Sequence, residues 1–145
     1  MSQDPGAPRG IVDTSQAPAA IGPYSQAVKV GNLVFLSGQI PLDPETMALV
    51  SDDVEEQAGQ VFRNLAAVAR AAGGDLADAV KLTIYLKDLG DFQTVNAVME
   101  SFFSPPYPAR AAIGVADLPR GAAVEIEGIL ALQGDPGAGV ADPGA

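Results

Sequence analysis

Apolar residues between positions 54 and 72 recur at helical spacing. Val54, Ala58, Val61, Leu65, Val68 and Ala72 lie 4, 3, 4, 3 and 4 residues apart, which puts them on one helix face. Ser51, Asp52 and Asp53 precede the run as cap candidates and set negative charge at the positive end of the helix dipole. Gly73-Gly74 supply the stop. The period then changes. Val80, Leu82, Ile84 and Leu86 alternate with Lys81, Thr83, Tyr85 and Lys87, the pattern of a strand with one apolar face.

The same reading extends to both sides. Gln26–Val30 and Leu33–Ser37 are β-rich runs joined by Gly31-Asn32, a two-residue hairpin signal. Residues 38–50 carry Gly38, Pro41, Asp43 and Pro44 and are expected to form a loop. Asp91 is the expected cap of a second helix with apolar positions Phe92, Val95, Met99, Phe102 and Phe103, ended by Pro105, Pro106 and Pro108. Arg110–Val115 is an expected strand, Leu118-Pro119-Arg120-Gly121 a turn, and Ala123–Leu132 the last strand. The order ββαβαββ predicts an α+β fold, a mixed sheet with two helices packed on one face.

That arrangement sorts the side chains. If Ala111, Ile113 and Val115 face the helices, Arg110, Ala112 and Gly114 lie on the opposite face. Val124, Ile126 and Leu130 are likewise expected inward, with Glu125, Glu127, Ile129 and Ala131 outward. The outer face is half apolar and half charged, so an oligomer is expected to bury it.

The folded domain is expected over residues 19–133. The segments 1–18 and 134–145 are dominated by small and turn-forming residues and are expected to be flexible, since they offer little surface to offset ordering entropy. No leader-type apolar region opens the chain, and no run of about 18 apolar residues occurs. A cytoplasmic protein without a membrane partner is expected.

Composition narrows the chemistry. The 145 residues include no His, Cys or Trp. Catalytic triads with His, thiol chemistry, disulfides and His- or Cys-based zinc sites are excluded. No calcium-type acidic loop, GxGxxG or Walker A pattern is present, so neither metal nor cofactor is expected. Eight basic residues against eighteen acidic ones give a net charge of -10. Such a chain repels phosphate backbones, so no nucleic-acid partner is expected.

A few residues remain as candidates. Arg110 follows Pro108-Ala109 at a strand start, where its guanidinium can clamp a carboxylate or bridge subunits. Glu125 and Glu127 share one face, as a general base and its neighbour or as ordinary solvent-facing charges. Tyr24, after Gly22-Pro23, is a substrate contact or a packing anchor. Asn96 interrupts the second helix near its apolar face, lining a site or bonding a loop. Ser37-Gly38 ends a strand where glycine permits close backbone approach.

These residues fall in segments with a familiar pattern. Residues 19–27 (AAIGPYSQA), 36–41 (LSGQIP), Asp91-Phe92 with Val95-Asn96 and Phe102-Phe103, Pro108-Ala109-Arg110, and Val124-Glu125-Ile126-Glu127 together resemble the RidA or YjgF family of enamine/imine deaminases. The resemblance runs in order over about residues 15–132. It implies a chorismate-mutase-like fold and a homotrimer with sites between subunits. It also implies hydrolysis of species such as 2-aminoacrylate and 2-iminopropanoate, released by PLP-dependent dehydratases, to a 2-keto acid and ammonia.

By the same resemblance Arg110 binds the substrate carboxylate and Glu125 positions or activates water. Tyr24 lines the cleft, Ser37, Gly38 and Asn96 shape or support it, and Glu127 is structural. Ala112 stands where members often carry Cys, at a position used through its backbone carbonyl. The segment Ser104–Tyr107 is shorter than in typical members. The alternative reading is a non-enzymatic module that binds a small carboxylate or a protein, and an RNA-cleaving activity is a remoter one.

Overall fold

The computed structural model describes residues 9–133. Of the two expected flexible segments, residues 1–8 of the first and all of the second, 134–145, lie outside the described residues. The elements are β1 (Arg9–Val12), β2 (Ala27–Val30), β3 (Leu33–Gln39), α1 (Val54–Ala71), β4 (Ala79–Leu86), α2 (Phe92–Phe102), β5 (Ala109–Gly114) and β6 (Val124–Ala131). They form one six-stranded sheet in the order β1-β2-β3-β6-β4-β5. Only β4 and β5 run parallel; the other pairs are antiparallel. Both helices cover the same face, and the α+β prediction agrees with this architecture.

The core lies between that face and the helices. Val61, Phe62, Leu65 and Val68 of α1 pack with Val95 and Met99 of α2 over Leu82, Ile84, Leu86, Ile126 and Leu130. Phe62 stacks on Phe102 with ring centroids 5.3 Å apart. Asp53 caps α1 by accepting from the Glu56 amide at 3.0 Å. The second helix starts differently from the expectation. Asp91 makes no side-chain cap bond; Asp88 instead caps a short turn, accepting from the Gly90 amide at 2.8 Å.

Arg9–Val12 belongs to the sheet, although the domain was expected to begin at residue 19. Of its residues only Val12 is buried, so the segment has no readable period. It is held by pairing with β2 and by Gln26. That buried side chain accepts from the Thr14 amide at 2.7 Å and donates to the Thr14 and Pro18 carbonyls at 3.0 and 2.8 Å. β3 also runs on through Gly38 and Gln39, past the expected start of the loop, with a register shift between Leu36 and Gln39.

Two side-chain orientations differ from the expectation. A register irregularity between Ala79 and Lys81 turns Val80 out, leaving it 46% exposed. More consequentially, β5 faces the other way. Arg110, Ala112 and Gly114 pair with Leu82, Ile84 and Leu86, so they share the helix-covered side. Ile113 lies on the open side at 45% exposure. The cause is crowding where the chain enters α2. A Cβ at Gly114 would meet Leu89 Cγ at 3.0 Å, so the helix side of this edge strand takes small residues, with long Arg110 at its end.

β6 follows its predicted alternation. Val124, Ile126 and Leu130 are buried, and Glu125, Glu127, Ile129 and Ala131 lie on the open face. Ile11, Val30, Leu33 and Phe35 extend that face as exposed apolar residues. No helix is long and apolar enough to cross a membrane among the described residues.

Candidate active site

Arg110 is set by one face of α2. Phe92, Asn96 and Met99 stand at i, i+4 and i+7. The guanidinium lies 5.0 Å from the centre of the Phe92 ring. Its Nη1 donates to Asn96 Oδ1 at 2.5 Å and approaches Met99 Sδ at 3.6 Å. Among the described residues the one ion pair joins Lys87 and Asp117, so Arg110 has no carboxylate partner. Asn96, Met99, Glu100, Tyr107, Pro108 and Arg110 line a cavity of about 320 Å³. Ala112 follows Arg110 two residues along the same side of β5.

The remaining candidates meet elsewhere. Tyr24, Ser37, Gly38 and Glu125 line a second, larger cavity of about 610 Å³ on the other side of the sheet. Ser37 anchors the segment that carries Tyr24: its Oγ donates to the Ser25 carbonyl at 2.6 Å and its amide to the Gln26 carbonyl at 3.0 Å. The loop wall of this cavity is held by Asn64 of α1, a buried side chain whose Nδ2 donates to the Leu42 carbonyl at 3.0 Å.

Glu125 is half-buried. Burial pushes its carboxyl above the ordinary value of 4.5, and neighbouring Glu127 pushes it further the same way. Tyr85, directly opposite Glu125 on β4, is also raised, first by burial and then by the charge and hydrogen bond of Glu127. A carboxylate poised in this way can hold a proton taken from water. Among the described residues, no group of three or more His, Cys, Asp or Glu is arranged to hold a metal ion.

Tertiary structure thus divides the candidates in two. Arg110, Asn96 and Ala112 belong to the helix side, and Tyr24, Ser37, Gly38 and Glu125 to the open side. Residues that sequence reasoning missed complete each half. The helical spacing of Phe92, Asn96 and Met99 is a signal that could have placed them beside Arg110. Arg120 and Met47 carried no such signal. Both have φ of 62°, and Arg120 Nη2 donates to the Met47 carbonyl at 2.7 Å, clasping two loops at the Glu125 cavity.

Comparison with known proteins places this geometry among relatives. A family model described as endoribonuclease L-PSP matches residues 14–132. A RutC family protein of Sinorhizobium fredii is 55% identical over 121 residues, covering 83% of this chain and 96% of its own. A protein of Mus musculus named 2-iminobutanoate/2-iminopropanoate deaminase is 50% identical over 126 residues, covering 87% of this chain and 93% of its own. The crystal structure of RidA from an Antarctic Psychrobacter species is 54% identical with a TM-score of 0.82, covering 85% of this chain and 99% of that one.

Proposed function

The chain belongs to the RidA/YjgF family, and from that membership we propose that it hydrolyses enamine and imine acids of the 2-aminoacrylate/2-iminopropanoate type to 2-keto acids and ammonia. One observation carries the reading most directly: a guanidinium with no carboxylate partner among the described residues and a half-buried carboxylate with a raised pKa are the reactive groups of the two cavities. An imino acid needs both. Arg110 takes its carboxylate, and Glu125 serves the water that attacks its electrophilic carbon.

The reaction balances without a covalent enzyme intermediate. Water adds its oxygen to the C=N carbon while Glu125 accepts one of its protons. The resulting carbinolamine regains that proton at nitrogen. The hydroxyl proton then passes through Glu125 to the nitrogen, the C–N bond breaks, ammonia leaves and the oxygen becomes the keto oxygen. The raised pKa of Glu125 suits it to hold and return the proton. Asn96 and Phe92 keep the guanidinium in place for the substrate carboxylate. Ala112 presents its backbone carbonyl, and Tyr24 lines the cleft.

We assign the working enzyme as a homotrimer with sites between subunits. The separation of Arg110 from Glu125 across the sheet supports this, because a second copy can bring an Arg110 half to a Glu125 half. The exposed apolar residues on the open face support it independently. A pure carboxylate-binding module has no use for an anionic Glu125 beside its ligand. RNA as substrate is opposed by the net charge of -10.

The test is to generate imines in situ with an amino-acid oxidase acting on several amino acids and to follow their decay. Acceleration for at least one imine is expected. Decay at the uncatalysed rate for every imine would falsify the assignment.

A further inference from the structure

Gly38 is the one place in the Glu125 cavity where the fold withholds a side chain rather than supplying one. Its φ is not in the left-handed region, so backbone conformation does not call for glycine there. A Cβ built at Gly38 meets Glu125 along the length of its side chain. It would overlap Oε2 and lie 3.0 Å from Cδ and 3.2 Å from Cγ. The neighbouring backbone is tied down by the two Ser37 bonds to Ser25 and Gln26 and by the resumption of pairing at Gln39 and Ile126. Under pressure from a new methyl group, the flexible Glu125 side chain is the part that moves.

We propose that Gly38 is a positioning residue whose missing side chain is the slot that holds the Glu125 carboxylate against β3. This deepens the deaminase reading and rests on Glu125 as the water-activating base. The slot explains how a carboxylate on an open sheet face becomes half-buried. The other titratable groups facing Glu125 are Tyr85 from β4, Glu127 from β6, and Tyr24 and Arg120 from the loops; β3 contributes none. Displacing the carboxylate from the slot returns it to water and relieves the burial that raises its pKa.

The test compares Gly38→Ala, Glu125→Asp and the double variant on imines generated by an amino-acid oxidase. For Gly38→Ala the expected result is a loss of about 100-fold in kcat, the scale of a misplaced catalytic group. KM should stay within about threefold, since the Arg110 clamp is untouched. The acidic limb of its pH profile should move to lower pH. The double variant should be no slower than the slower single variant, because the shorter Asp removes the overlapping Oε2 and leaves only the milder contacts of 3.0 and 3.2 Å.

Wild-type kcat and pH profile in Gly38→Ala, or losses that multiply in the double variant, overturn the inference. If Gly38→Ala does not fold, adding Glu125→Ala must restore folding; failure there shows that glycine serves the backbone and also overturns it. Glu125→Gln separates the two levels. A silent Gly38→Ala beside an inactive Glu125→Gln sinks the slot alone, whereas an active Glu125→Gln sinks the base and the slot with it.

Discussion

Arg110 and Glu125 project from opposite faces of the same sheet. Arg110 pairs with Leu82 on the helix-covered side, and Glu125 pairs with Tyr85 on the open side. Within one chain they line separate cavities, and in the proposed oligomer the two groups meet between copies.

Mixed oligomers provide the first test. Arg110→Ala and Glu125→Gln should each be inactive alone. Unfolded together in equal amounts and refolded, they should recover roughly a quarter of wild-type activity, the fraction of random interfaces that pair two intact halves. No recovery, with mixed oligomers verified by mass spectrometry, would place the site within one chain.

Arg110 itself is exposed, and its loss should leave the fold intact. Arg110→Ala should lower kcat/KM by at least about 100-fold, the cost of removing one partner of a charge-assisted pair. The oligomer should keep its size on a sizing column. Asn96→Leu should act in the same direction but less, about tenfold, because it loosens the guanidinium without deleting it. An Asn96→Leu loss as deep as that of Arg110→Ala would give Asn96 a direct role in substrate binding.

The raised pKa of Glu125 makes a stability prediction with a definite sign. The folded state holds this proton more tightly than the unfolded state does, so ionising Glu125 costs stability as pH rises above the ordinary carboxylate range. Glu125→Gln should therefore have a higher Tm than wild type at neutral pH. The two should converge as pH falls below 4.5, where the unfolded carboxyl is protonated as well. Hydrolytic activity should show the opposite trend, rising with pH as the base ionises. A Tm difference independent of pH would mean that Glu125 is not perturbed.

Ala112 lies two residues from Arg110 on the same side, and the proposed role is carried by its backbone. Ala112→Cys should leave kcat within about twofold of wild type, as a substitution that touches no transition-state contact does. The variant should also resist inactivation by thiol reagents. Strong inhibition on thiol modification would place the side chain closer to the substrate than the backbone role requires.

Much of this was readable from periodicity. The α1 stripe, the Gly31-Asn32 hairpin and the inward Val124, Ile126 and Leu130 follow from residues a few positions apart, where one helical or strand period settles which side chains share a face. The candidate residues were legible too, since few reactive side chain types remain in a chain without His or Cys. β1 was not, because Arg9–Val12 has one buried residue and is held through its pairing with β2 and the Gln26 anchor.

The facing of β5 shows where such reading stops. Alternation along Arg110–Gly114 divides the strand into two sets but cannot say which set meets the helices. The apolar Ile113 suggested one answer, and the structure has the other. The choice is made by the parallel register with β4 and by Leu89 crowding Gly114, contacts between residues far apart in the chain. By itself the sequence determined the elements and the reactive groups, because those depend on local period and residue type. Only the tertiary structure decided that Arg110 and Glu125 stand on opposite sides of the sheet, because register, not periodicity, assigns each strand's faces.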